Sequence, residues 1–165
     1  MSGANTALLL LGGNLANPEH TFEQALQLIK NRVGKIKNKS SLYWSEPWGF
    51  EADHNFLNQV ITVSTSLQAQ HLLSQVLNIE EKMGRQRNVD DSGYQSRLID
   101  IDILFFNRQI INTGNLTVPH PALHQRKFTL LPLVEIEPEF EHPVFNETLS
   151  QLIKKCEDKT AVWKK

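Results

Sequence analysis

A single cysteine, Cys156, stands among 165 residues, so no internal disulfide can form and the composition suits a reducing compartment. Neither sign of charge is in excess: 17 Lys and Arg face 18 Asp and Glu, a formal net charge of −1. That balance supplies no global pull toward nucleic acid or an anionic membrane, so any polyanion site must be a local cluster. Long apolar runs are missing as well. The opening "ALLLL" at 7–11 lacks a basic flank and is too short for a membrane span or a signal-peptide core. The expectation is a soluble, cytoplasmic protein with no membrane or nucleic-acid partner. Familiar catalytic signatures are also absent. "GGNLAN" has neither the Lys nor the Ser/Thr of a Walker A loop, and there is no kinase motif set, G-x-S-x-G elbow or zinc-type cysteine spacing.

What is present is ordinary in amount, with 40% hydrophobic and 21% charged residues, as expected of one globular domain over 1–165. No internal repeat or low-complexity linker divides it. "TALLLLGGN" reads as a strand ending in a glycine turn, followed by Asn17 as N-cap, Pro18, and Phe22, Ala25, Leu26 and Ile29 at helical spacing. "KIKNKSSLYWS" and "FLNQVITVSTS" read as strands joined by the loop "EPWGFEADHN". Ser66 is placed to cap a second helix with an apolar stripe of Ala69, Leu72, Val76, Ile79 and Met83, ended by Gly84. "SRLIDIDILFF" is the next strand and "NRQIINTGNLTV" a hairpin turning at "NTGN". Two helical segments and a closing strand at "TAVW" follow. The class is α/β (α+β), and β-α-β-β-α-β over the first hundred residues matches the ferredoxin-like sandwich with a largely antiparallel sheet and C-terminal additions.

Asp100 and Asp102 raise the first chemical question. Strand residues two apart share a face, so both carboxylates point one way while Ile99, Ile101 and Ile103 point the other. Two such carboxylates repel and need compensation. A hard cation such as Mg²⁺, which binds one or two carboxylates plus substrate phosphates, would provide it; ion pairing to nearby arginines, or simple exposure at the strand's end, are the plainer alternatives. Arginines are at hand. Arg85 and Arg87 follow the second helix and Arg97 precedes Asp100, across the polar, glycine-containing loop "QRNVDDSGYQS", suited to closing over a ligand. Arginines there can grip phosphate bidentately, although cations near a helix C-terminus also serve the helix alone.

Two further clusters stand out. In "VPHPALHQRKF", His120 is fixed between prolines with Arg126 nearby; a lone histidine is usually structural, yet beside a polyphosphate it can contact phosphate or leaving group. In "LYWSEPWGFEADHNFLNQ", Trp44, Trp48, Phe50 and Phe56 surround a loop, and Asn58 interrupts an apolar strand. A carboxamide there needs partners, and the amide-like edge of a flat heterocycle would supply them, with aromatic rings on its faces.

With these residues assembled, the chain resembles the 6-hydroxymethyl-7,8-dihydropterin pyrophosphokinase family of folate biosynthesis. The resemblance runs through "GGNL", "Y-x-S-E-P-x-G", "FLNQV", "IEEKMGRQR", "RLIDIDIL" and "LTVPHPALHQRKFTLLPLVEI". It implies a ferredoxin-like fold, usually monomeric, that uses ATP and Mg²⁺ to transfer pyrophosphate to the pterin hydroxymethyl group and release AMP. It further implies two Mg²⁺ ions on Asp100 and Asp102, and ATP phosphates on Arg85, Arg87, Arg97, His120 and Arg126. Arg85 and Arg97 join the aspartates as catalytic, while Thr117 and Ile103 lie near the nucleoside. Asn58 would read the pterin edge, Phe128 and Phe56 would pack on its ring, the backbone around Ser45, Glu46 and Trp48 would line the pocket, and Glu80 would orient the arginines. The chain departs from the family pattern at Gln95–Ser96, where Gly-Pro is usual, and in "GGN", where Gly-Ser-Asn is commoner. Two rivals compete: a metal-dependent hydrolase on the same fold, which lacks an evident general base besides His120, and an RNA-binding sheet, which would want an exposed aromatic platform that "QVITVSTS" does not offer.

Overall fold

The computed structural model describes residues 4–14, 17–47, 55–84 and 99–165. The elements run β1 (Asn5–Gly13), α1 (Pro18–Arg32), β2 (Gly34–Lys39), β3 (Tyr43–Ser45), β4 (Phe56–Thr65), α2 (Ala69–Lys82), β5 (Asp100–Phe106), β6 (Ile111–Asn112) and β7 (Thr117–Val118). A 3₁₀ turn at Leu123–Gln125, α3 (Lys127–Ile136), α4 (Leu149–Lys155) and β8 (Val162–Lys164) complete it.

The main sheet has the order β5-β1-β4-β3-β8, with β2 beside the C-terminal half of β4, and every pairing is antiparallel. With β2 and β3 counted as one broken strand, this is the ferredoxin-like arrangement expected, with β3–β8 pairing and α3 and α4 as the additions. The single strand expected at "KIKNKSSLYWS" is interrupted at 40–42. There Ser40 turns its hydroxyl to accept from the Val60 N–H at 3.0 Å, and its own N–H donates to the Val60 carbonyl.

The "ALLLL" run now has its cause. Ala7, Leu9 and Leu11 join Phe22, Ala25 and Ile29 of α1 and Leu72, Val76 and Ile79 of α2 in one buried cluster. Leu8 and Leu10 face the other way, into a second cluster with Leu130 and Leu133 of α3 and Leu149 and Leu152 of α4. A strand covered on both faces carries no polar alternation, and each buried leucine contributes roughly 1.5–3 kcal/mol. Helices on both faces also remove the open platform that a sheet-type RNA reader requires.

Two local expectations are corrected. The second helix starts later than Ser66: Gln68 is its N-cap and no side-chain cap bond forms. Gly12 and Gly13, read as a turn, continue β1 opposite Asn58 and Leu57 of β4. Asn17 does occupy the N-cap of α1 but in the left-handed region, with its carbonyl, not its side chain, accepting from the Thr21 N–H.

Candidate functional site

Strand register builds the site. Gly12 of β1 is flanked by Asp100 on β5 and Asn58 on β4, and Asn58 is paired in turn with Tyr43 on β3. Directly opposed residues share a face, so Asp100, Gly12, Asn58 and Tyr43 form one row across four strands. The next row is Asp102, Leu10 and Val60. Leu10 and Val60 belong to the cluster under α3 and α4, which assigns both aspartates and Asn58 to that face. Ile101 and Ile103 go into the opposite cluster, under α1 and α2, as strand alternation requires.

Asn58 is 2% exposed, and its amide is held from one side. Nδ2 donates to Ser45 Oγ at 2.8 Å and to the Tyr43 carbonyl at 3.2 Å, with a longer contact to the Phe56 carbonyl. Ser45 is itself buried. With the donor committed inside, Oδ1 is the atom left to face a ligand, and it overlooks Gly12. Behind this wall the Tyr43 hydroxyl donates to Glu135 Oε1 at 2.6 Å, while the Ser41 N–H and hydroxyl both donate to Oε2. Burial alone would raise the Glu135 pKa, but the hydrogen bonds from Tyr43 and Ser41 and the charge of Lys164 hold it below the usual value. The same burial and carboxylate push the Tyr43 hydroxyl up. This network fastens β3 to α3 and stiffens the floor under Asn58.

At the other end of the row, Asp100 and Asp102 are half-exposed, roughly 6–7 Å apart along the strand. The start of β5 is anchored from α2: buried Glu80 accepts the Ile101 N–H at 2.7 Å. Glu80 thus aligns the strand that carries both aspartates, a contact that the sequence did not suggest. Among the described residues no group of three or more His, Cys, Asp or Glu side chains is placed to hold a metal ion. A cation on this pair would draw its other oxygens from phosphate and water, the donor set Mg²⁺ prefers. The pair fits the group.

His120 is tethered next to this strand, its N–H donating to the Leu104 carbonyl at 3.0 Å. Its Nδ1 accepts from the Ala122 N–H at 3.1 Å, which leaves the proton on Nε2. Burial and then the charge of Arg126 lower its pKa to about 4. At neutral pH it is a neutral hydrogen-bond donor, not a cation. Arg126 precedes α3 with its guanidinium 5.6 Å above the Phe128 ring, and Phe128 packs on the α3/α4 cluster, on the face of the row. Phe56 lies opposite Ser45, on the same face as Asn58.

The remaining expected positions are placed as follows. The Ile103 side chain is buried away from the aspartates, so only its backbone can meet a nucleoside. Thr117 is exposed on β7, paired with Asn112. The Glu46 N–H donates to the Ala161 carbonyl just before β8, which ties the end of β3 to β8. Arg85, Arg87, Arg97 and Trp48 lie outside the described residues, as does the loop "QRNVDDSGYQS". Gly12 was the missed member of the row, and its signal was a glycine inside an apolar strand.

Residues 8–138 match the family model of 7,8-dihydro-6-hydroxymethylpterin-pyrophosphokinase (HPPK). A 2-amino-4-hydroxy-6-hydroxymethyldihydropteridine pyrophosphokinase of Aquifex aeolicus is 37% identical over 146 residues, covering 88% of this chain and 89% of its own length. The Bacillus subtilis protein of the same name is 39% identical over 133 residues, 80% of this chain and 78% of the relative. Among solved structures, wild-type Plasmodium falciparum HPPK-DHPS with pteroate superposes with a TM-score of 0.77 over 93% of this chain at 21% identity. That likeness is one of fold, and the present chain spans 44% of the solved one.

Proposed function

The chain belongs to the 7,8-dihydro-6-hydroxymethylpterin-pyrophosphokinase family, and we propose that the Asp100–Gly12–Asn58 row is where its two substrates meet. The activity is pyrophosphate transfer from ATP to hydroxymethyldihydropterin, a step of folate biosynthesis. The observation that carries the assignment is the row itself. Asp100 and Asn58 share a face with only Gly12 between them, roughly 10 Å apart at two strand spacings. One end suits a metal-bound triphosphate and the other reads a heterocycle edge, separated by about the length of a bicyclic ring and its hydroxymethyl arm.

In this reading Asn58 Oδ1 accepts from a pterin N–H, while Phe128 and Phe56 pack on the ring faces. The backbone of Ile103 and the side chain of Thr117 lie toward the nucleoside. Asp100 and Asp102 would hold the two Mg²⁺ ions, which would supply positive charge against the triphosphate. Arg85, Arg87, Arg97 and Arg126 supply positive charge around the phosphates. The hydroxymethyl oxygen attacks the β-phosphorus in line, the bond from that phosphorus to the α-phosphate oxygen breaks, AMP leaves and the hydroxyl proton passes to water. His120 donates from Nε2 to the departing phosphate without adding charge. Such a transfer needs positioning and charge neutralisation more than a strong base, which matches a site with a neutral histidine. A single domain over 1–165, working as a monomer in the cytoplasm, completes the reading; no helix among the described residues is long and apolar enough to cross a membrane.

The test uses ATP labelled at the β- or γ-phosphate with Mg²⁺ and the reduced pterin. AMP should form in equal amount to a diphosphorylated pterin that carries either label. ADP with a monophosphorylated pterin would refute attack at the β-phosphorus.

A further inference from the structure

We propose that Gly12 is a specificity-determining residue for the acceptor, kept without a side chain so that the heterocycle can lie against the β1 backbone between Asp100 and Asn58. This rests on the assignment of the pterin to that row. Three glycines show why the fold alone does not account for it. At Gly34 a Cβ would come within 2.0 Å of the Ser64 carbonyl oxygen, so the close approach of β2 to β4 demands glycine. At Gly114, in the β6–β7 turn, a Cβ would meet nothing within 4 Å. At Gly12 the nearest atoms would be Asn58 Oδ1 at 3.8 Å and the Leu57 carbonyl oxygen at 4.0 Å, ordinary contact distances. Among the described residues only Gly84 is a glycine with positive φ, so Gly12 is not placed by backbone conformation either.

Glycine inside a strand nevertheless weakens it, and where it occurs it often marks close approach of a ligand or another backbone. Among the described residues no backbone comes closer to Gly12 than ordinary contact distance, which points to a ligand on the open face. A donor bound to Asn58 Oδ1 would sit about 2.9 Å from it, with its ring atoms in van der Waals contact with the floor beyond. A methyl carbon at Gly12, 3.8 Å from that oxygen, would stand in that space. The glycine therefore trades strand stability for substrate access, and the two should separate with opposite signs.

The experiment compares Gly12→Ala, Gly12→Val and the control Gly114→Ala in the full chain. It measures thermal midpoint, binding of a non-hydrolysable ATP analogue with Mg²⁺, and binding of hydroxymethyldihydropterin in the presence of that analogue. Gly12→Ala should keep or raise the midpoint, by about 1–3 °C. It should weaken pterin binding at least tenfold and leave the ATP analogue within about twofold; Gly12→Val should weaken pterin further, and Gly114→Ala should change neither ligand. Pterin binding by Gly12→Ala equal to wild type would overturn the inference. So would a lowered midpoint with equal loss of both ligands, which would make Gly12 structural. Wild-type protein that binds the ATP analogue but no pterin would overturn the assignment of the acceptor, a result visible before any variant is made.

Discussion

Removing the Ser45 hydroxyl should damage pterin binding only through Asn58, and a double-mutant cycle can show it. Ser45 Oγ lies 2.8 Å from Asn58 Nδ2, and both residues are nearly inaccessible, at 1% and 2% exposure. In Ser45→Ala the amide keeps the Tyr43 carbonyl at 3.2 Å but loses its shortest bond, so the orientation that presents Oδ1 is no longer enforced. A neutral hydrogen bond of this kind is worth about 0.5–1.5 kcal/mol, so pterin dissociation should rise about 2- to 13-fold at 1.4 kcal/mol per decade. On the proposed reading, Asn58→Ala removes the group that reads the pterin and leaves a substrate N–H buried without an acceptor, at about 1–3 kcal/mol, or about 5- to 140-fold. It also strips Ser45 and Tyr43 of a donor, so the thermal midpoint should fall by several degrees, at about 2–4 °C per kcal/mol for a domain of this size. Binding of an ATP analogue, whose proposed site centres on β5, should stay within about twofold in both. Calorimetric titration of wild type, both single variants and the double variant gives the coupling. In the Asn58→Ala background Ser45→Ala should add nothing to the pterin loss. Fully additive losses would refute the reasoning, because Ser45 would then act on the substrate independently of Asn58.

Asp100→Asn and Asp102→Asn retain shape but not charge, and each should lower turnover by about 10²- to 10⁴-fold through lost metal-borne stabilisation while circular dichroism stays unchanged; near-normal turnover in both would rule out a metal role. Burial and the nearby His124 lower the His142 pKa to about 4 from 6.5, so the unfolded chain takes up that proton first. The stability it contributes is complete above about pH 6.5 and is lost as pH falls toward 4, because the unfolded imidazole takes up a proton that burial and His124 keep off the folded one. The thermal midpoint of His142→Gln should decline less steeply than wild type across that window, and identical slopes would contradict this.

Some of this was decided by the sequence alone. That Asp100 and Asp102 share a face opposite Ile101 and Ile103 follows from strand alternation, a property of a few consecutive bonds, and the two core clusters keep it. The β-α-β-β-α-β order was likewise written in local periodicity. The Asn58 carboxamide announced an unmet need, since a polar group in an apolar strand must find partners. What local pattern could not carry was which residue stands beside which. Asp100 meets Gly12, and Gly12 meets Asn58, only because β1 threads between two strands that lie far from it in the chain. Glu80 reaches the Ile101 N–H from a helix packed across the sheet, and Glu46 is taken by a strand-end residue, Ala161, 115 positions later. Each of these pairings is selected by the burial of whole faces at once, a cooperative quantity to which no short stretch contributes enough to reveal the answer. Only the folded sheet turned a glycine expected in a turn into a strand residue lying between Asp100 and Asn58.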